Sequence, residues 1–244
     1  MTNSPRFSIV VPMKNEVDSV AAMLSEVEAA CAPLGPFELI IVDDGSDDGT
    51  TDALRAAAEA TPWFRTLRHA QSCGQSAAVL TGVRAAHAEV CATLDGDLQN
   101  PPAELPKLLA PLLEDETGRL GLVAGQRKIR RDTPSKRLAS RLANALRRRI
   151  LRDDTRDTGC GLKGFRRDVF LALPFFDHIH RYLPALVKRE GYEVLLVDVE
   201  DRERASGRSK YTNLNRAIVG ASDLLGVWWL MRRRALPRIE SSDE

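Results

Sequence analysis

Short apolar runs alternate along the chain with longer stretches in which apolar residues recur every three or four positions. The runs at 7–11, 39–42, 65–68, 90–94 and 120–124 predict strands. The periodic stretches at 17–30, 74–86 and 102–113 predict helices, and a further helix follows the polar turn 43–50, where Asp48 or Thr50 can cap it. Further on, 176–190 reads as a helix and 192–199 alternates as a strand. Strands that alternate with helices predict an α/β domain with a doubly wound, mostly parallel sheet. Such sheets bind ligands outside the carboxyl ends of their strands, where Pro12, Asp43 and Asp95 all fall.

Between the strand at 90–94 and the pair Pro101-Pro102 stand Asp95, Asp97 and Gln99, spaced i, i+2, i+4. In an extended backbone this spacing puts three oxygen-bearing side chains on one side. Converging oxygens suit a hard divalent cation, Mg2+ or Mn2+; a polar loop capping the next helix is the alternative that spacing alone leaves open. No GxGxxG follows the first strand and no GxxxxGK[ST] occurs, so the usual dinucleotide and P-loop signatures are missing.

Charge changes this picture more than composition does. The chain is nearly neutral, at +1, yet residues 127–152 hold eleven Lys/Arg and one acid, Asp132. That segment carries +10 and leaves −9 for the rest, a block that seeks phosphate, an anionic membrane or nucleic acid. Thr133 and Pro134 form a helix start, and Leu138, Leu142, Leu146 and Ile150 would face the core. Lys136, Arg137 and Ser140 share a turn on another face, where two cations and a hydroxyl can hold a phosphate, with Arg127 nearby. The Gly-rich stretch 157–165 is expected to line the same cleft, and the polar loop 202–209 to close over it. The four cysteines are scattered without a CxxC and read as small core residues of a reducing compartment, and the four histidines as structural or exposed.

The N-terminus runs polar residues straight into a strand, without the pattern of a secretory leader. The last apolar stretch, 217–231, is interrupted by Ser222 and Asp223 and falls short of the roughly 20 residues of a membrane span. Tyr211, Leu214, Ile218, Ala221, Leu225 and Trp228 make a stripe at helical spacing, and Trp228-Trp229 precede Arg232-Arg233-Arg234. This is the chemistry of a helix lying at a membrane interface, or docking on an integral membrane partner. The expected organisation is a domain at 1–210, an interfacial helix at 211–236 and a disordered tail at 237–244.

These motifs together resemble the family 2 glycosyltransferases of GT-A fold, in particular the dolichyl- and polyprenyl-phosphate sugar transferases. Val11-Pro12-Met13-Lys14-Asn15-Glu16 is similar to the family's V-P-x-Y-N-E, with Lys14 in the place of Tyr. The run from Val42 to Thr50 is similar to V-D-D-G-S-x-D-G-T, and that from Asp95 to Pro102 to D-x-D-L-Q-x-P-P. Residues 136–141 resemble the acceptor-phosphate helix, with Lys136 where many relatives have Arg, and residues 207–211 the G-x-S-K-Y loop. The resemblance implies that Pro12, Glu16, Asp43 and Asp95 hold the nucleotide, and that Asp95, Asp97 and Gln99 bind the metal. It implies that Arg127, Lys136, Arg137 and Ser140 hold the acceptor phosphate, with Arg204 and Lys210 on the closing loop. Asp95, Asp97 and Arg127 become the expected catalytic residues. The implied activity is inverting, metal-dependent transfer from a UDP- or GDP-sugar to polyprenyl phosphate, with no nucleic acid involved. It would run on the cytoplasmic membrane face, for envelope glycan or lipopolysaccharide modification. The competing readings are a sugar-phosphate nucleotidyltransferase, which lacks its Gly-rich phosphate loop here, and a family 2 enzyme with another acceptor.

Overall fold

The computed structural model describes residues 4–127, 147, 149–151, 153–202 and 213–233. Its strands are β1 (Phe7–Met13), β2 (Phe37–Asp43), β3 (Phe64–Arg68), β4 (Val90–Thr93), β5 (Leu120–Arg127), β6 (Lys163–Arg166) and β7 (Glu193–Val199). Among the described residues they form one seven-stranded sheet in the order β3-β2-β1-β4-β6-β5-β7. The first four strands are mutually parallel and β5 pairs parallel with β7. β6 is inserted antiparallel between β4 and β5.

The helices are α1 (Val20–Cys31), α2 (Thr50–Ala60), α3 (Gln75–Ala85), α4 (Leu105–Leu113), α5 (Arg167–Ala172), α6 (Leu183–Arg189) and α7 (Asn213–Arg232). They cover both faces of the sheet. Phe7, Ile9, Val11 and Met13 of β1 pack with α1, α2 and α4 on one face. Val10 of the same strand packs with α3, and α5, α6 and Val227 of α7 extend that second core. Burial on both faces explains why the strands read as continuous apolar runs rather than alternating ones.

The pattern of strands and helices agrees with expectation, apart from three local differences. Residues 163–166, expected as part of a cleft-lining loop, are the strand β6. The stretch 176–190 is not one helix but a 3-10 turn, Ile179–Arg181, followed by α6. Pro184 explains the break: it fits the first turn of α6 but not the interior of a longer helix. The third difference concerns the acidic stretch itself. β4 ends at Thr93, and Leu98 adopts a left-handed φ of 57°. The backbone is therefore not extended from Asp95 to Gln99, and alternation does not align the three side chains.

Candidate active site

The carboxyl end of β2 carries two acids that are fully occupied. Gly45, with a φ of +71°, turns the chain there, and a Cβ on it would come within 2.9 Å of the Ser72 backbone nitrogen. Asp43 is 1% exposed. It accepts hydrogen bonds from Ser46 N–H at 2.8 Å and the Thr51 hydroxyl at 2.5 Å, and Arg68 lies 3.6 Å away. Burial alone would raise its pKa, but these partners hold it below the ordinary value. Asp44 accepts from Ser72 Oγ, Cys73 N–H and Gly74 N–H at 2.7–2.9 Å, and His69 Nδ1 lies 2.8 Å from it. Those bonds outweigh its burial and bring it down to about 2. The loop after β1 is tied to this one: Asn15 N–H donates to Ser46 Oγ, its amide to Asp47, and Glu16 N–H to Thr50 Oγ1. Asp48 accepts from Thr50 N–H at 2.9 Å at the start of α2, whose N-cap position is Gly49.

Asp95 is placed differently. Its carboxylate lies face-on against Gly161, where a Cβ would fall 2.4 Å from all three carboxyl atoms. Gln75, at the start of α3, donates Nε2 to Oδ1 at 2.7 Å. Burial first, and the negative charge of Asp97 second, push the Asp95 carboxyl up to about 6, against the pull of Lys163 and Arg127. Asp97 accepts the Gln99 N–H at 3.2 Å, in a turn that replaces the expected extended segment. Pro12, at the end of β1, lines the same small cavity as Asp95.

Across β6, Arg127 ends β5. Its Nε donates to Asp157 Oδ2 at 2.5 Å and its Nη2 to Oδ1 at 3.1 Å, a two-pronged grip. Nη1 lies 3.8 Å from Asp201. These contacts, the hydrogen bonds to Asp157 foremost, shift the guanidinium further up. The segment holding Asp201 is pinned to the acidic loop, since Arg202 N–H donates to the Gln99 carbonyl at 2.8 Å. The structure thus brings together Pro12, Asp95, Asp97, Gln99 and Arg127, with Asp43 and Glu16 in the adjoining loops. Lys136, Arg137, Ser140, Arg204 and Lys210 lie outside the described residues.

Three functional candidates escaped sequence reasoning. Asp157 sits in a Gly-rich stretch and gave no sign of gripping Arg127. Lys163 is 3% exposed, and its Nζ donates to the Cys160 carbonyl. Burial lowers its pKa, while the charges of Cys160, Asp95 and Asp157 oppose that shift. His180 is neither exposed nor remote. It lines the cavity of about 10 Å³ beside Asp95, Gln75 and Lys163, with Nδ1 2.9 Å from Ser76 Oγ. Burial, then Lys163 and the neighbouring Arg181 and His178, lower its pKa well below the usual value, so it stays neutral near pH 7. Of the cysteines, 31, 91 and 160 are core residues as expected, but Cys73 is exposed.

The donor set fits a hard cation at Asp95 and Asp97, because Asp95, buried and beside the negative charge of Asp97, gains from a positive charge placed between the two. A second group, Asp44, His69 and Cys73, also brings ligand-type atoms within 4.8 Å of one another. That group is closed by its own hydrogen bonds: Asp44 is saturated, and His69 Nε2 faces Thr81 Oγ1 at 2.9 Å.

The sequence profile described as Glycosyl transferase family 2 matches residues 8–173. An undecaprenyl-phosphate 4-deoxy-4-formamido-L-arabinose transferase of Aeromonas hydrophila is 34% identical over 207 residues, covering 84% of this chain and 62% of the relative. The enzyme of that name from Pseudomonas fluorescens is 36% identical over 208 residues, covering 84% and 60%. The chain therefore spans about three fifths of the length of these curated relatives. In fold it is similar to glucosyl-3-phosphoglycerate synthase from Mycobacterium tuberculosis, solved with Mn2+, UDP and glucosyl-3-phosphoglycerate. That match has a TM-score of 0.68 and 20% identity, and covers 93% of this chain and 80% of the other. A mannosyltransferase from Pyrobaculum calidifontis, solved with GDP-Man and Mn2+, gives a TM-score of 0.65 at 20% identity, covering 97% and 67%.

Proposed function

The chain belongs to glycosyl transferase family 2, and from that premise we propose that it is a glycosyltransferase that moves a sugar from a nucleotide sugar to a polyprenyl phosphate. The single observation that carries this reading is the pairing across β6 of Asp95, whose carboxyl favours a neighbouring cation, with Arg127, a fixed guanidinium suited to an anion. The named relatives supply the chemistry of the two substrates: undecaprenyl phosphate as acceptor, and 4-deoxy-4-formamido-L-arabinose as the group moved.

In this mechanism a phosphate oxygen of the lipid attacks the sugar carbon in line. The new C–O bond forms as the bond to the nucleoside diphosphate breaks, so the sugar carbon inverts. The attacking phosphate is already anionic near pH 7, so no general base is required, and neutral His180 is free to act in packing. Asp95 and Asp97 would hold Mg2+ or Mn2+, which when bound stabilises charge on the departing diphosphate. Pro12, Glu16 and the loop built on Asp43 would seat the nucleoside. Arg127, aimed by Asp157, would receive the lipid phosphate on its Nη1 edge, with Lys136, Arg137 and Ser140 as further donors and Arg204 and Lys210 closing the cleft. Two anions must approach here; at about 4 Å two unit charges repel by roughly 4 kcal/mol at an effective dielectric near 20, and the fixed cations offset this.

No helix among the described residues is long and apolar enough to cross a membrane. α7 instead presents Val219, Leu225 and Trp229 outward, while Arg232 stacks on Trp228 at 4.1 Å and Arg233 on Trp229 at 5.6 Å. Of the expected stripe, Tyr211 and the side chains of Leu214 and Ile218 lie outside the described residues; Ala221 and Leu225 are exposed, Trp228 is half-buried and Trp229 is exposed. This favours α7 lying at the cytoplasmic membrane surface, where the lipid phosphate is offered.

A thermal-shift panel of UDP-, GDP- and dTDP-sugars, with and without Mn2+, tests the donor side. Transfer from the best binder to undecaprenyl phosphate tests the acceptor side. A Mn2+-dependent shift followed by lipid-linked product is expected. A donor that binds but is passed to a soluble acceptor instead would overturn the acceptor assignment.

A further inference from the structure

Lys163 is buried, charged in type, and unused by the mechanism above. Its place in the sheet is unusual. It pairs with Thr93 of β4 on one side and with Ala124 of β5 on the other. Two residues beyond Thr93 stands Asp95, and three beyond Ala124 stands Arg127. Because β6 is antiparallel to both neighbours, the chain leading into it, 157–162, runs back between these two residues. Thr93 Oγ1 donates to the Gly161 carbonyl at 2.9 Å, and Gly125 N–H to the Leu162 carbonyl at 2.9 Å, which fastens the segment on both sides. At one end of it Asp157 grips Arg127; in its middle Gly161 supports the Asp95 carboxylate.

Lys163 turns its ammonium onto this segment and lines the same small cavity as Asp95 and Gly161. Its hydrogen bond goes to the Cys160 carbonyl, and its charge acts on both Asp95 and Asp157. A buried cation whose charge acts on two carboxylates draws both toward itself. One of those carboxylates belongs to the donor side of the cleft and the other aims the guanidinium of the acceptor side.

We propose that Lys163 is a positioning residue for sugar transfer, an internal cation that holds the Asp95 side and the Arg127 side of the cleft at a fixed separation. The proposal rests on the two-sided reading of the site given above. It assigns Lys163 no contact with either substrate. Each half-site keeps its own ligand contacts without it; what is lost is the alignment of the two reacting groups, which is where transfer rates are most sensitive.

Lys163→Met keeps the length of the side chain and removes the charge. In this variant, transfer to undecaprenyl phosphate is expected to fall at least tenfold in kcat, with the KM of each substrate within about threefold of wild type. Hydrolysis of the nucleotide sugar, which needs only the donor side, is expected to persist, so the ratio of hydrolysis to transfer rises at least tenfold. Lys163→Arg restores the charge and is expected to recover transfer to within about fivefold, the small cavity beside Lys163 receiving the larger head group. Parallel loss of hydrolysis and transfer, or no loss of either, in folded Lys163→Met overturns the proposal while leaving the glycosyltransferase reading intact. Wild-type protein that makes no lipid-linked sugar from any donor overturns the two-sided reading itself, and the proposal with it. If Lys163→Met does not fold, Lys163→Arg decides: a folded Arg variant with more than a tenfold rise in the hydrolysis-to-transfer ratio overturns it.

Discussion

Two acidic loops stand at the ends of β2 and β4, on either side of β1, and behave in opposite ways. The loop after β2 surrounds Asp43 and Asp44 with N–H and O–H donors, which hold Asp43 below its ordinary value and bring Asp44 down to about 2. The loop after β4 gives Asp95 one amide donor and a second negative charge for company, and its carboxyl rises to about 6. A carboxylate whose bonds are all made inside the protein shapes the backbone around it. One left short of partners is held ready for a charge from outside. The contrast separates architecture from chemistry within two motifs that look equally acidic in sequence.

The comparison is sharpened most by Asp97→Ala, which removes two oxygens from the loop after β4. Transfer should drop by about a thousandfold or more, an activation cost of roughly 4 kcal/mol, while circular dichroism stays that of the wild type. Retained activity in this variant, or full activity in EDTA, would break the assignment of a metal to this loop. Next comes a paired test of stability. Asp44→Asn breaks a saturated network and should cost about 2–4 kcal/mol in urea denaturation, whereas Asp95→Asn relieves a like-charge contact and should leave the midpoint unchanged or higher. Equal losses from both would erase the distinction. Gly161→Ala should lower transfer about a hundredfold by displacing the Asp95 carboxylate, with little effect on the binding of a nucleotide without metal.

The smallest expected effect is on pH. Asp95 has a folded-state pKa raised from 3.8 to about 6, so its protonated form favours the folded state. That contribution is full below about 4 and is lost as the pH rises through about 6. A cation competes with the same proton. The affinity for Mn2+ with nucleotide should therefore weaken about fivefold between pH 6 and pH 5, as followed by calorimetry. A flat profile across that interval would mean that Asp95 does not titrate there.

Much of this arrangement was legible in the sequence, and for definite reasons. Apolar runs such as Leu39 to Val42 announced strands buried on both faces, and motif spacing located Asp43, Asp95 and Arg127 at strand ends. The side chains that aim those residues were not legible. Asp157 and Lys163 act through burial and through partners some thirty residues or more away, as in the Arg127–Asp157 pair, and no local pattern records either. β6 was hidden because Lys163 to Arg166 is only four residues long and follows a Gly-rich run. The left-handed Leu98 defeated the extended-chain argument for Gln99, because a positive φ at a leucine is not a preference any sequence rule would supply.

The antiparallel insertion of β6 also has a consequence for how the chain reaches this state. β3, β2, β1 and β4 draw on residues 7–93 and pair with one another without help from later segments. β4 and β5 share no ladder of their own; the strand that joins them is made last of the three. During synthesis β4 is thus an open edge until residues 163–166 have left the ribosome, with its backbone groups available to any other strand. The two halves of the cleft therefore meet through a strand that is synthesised after both of them.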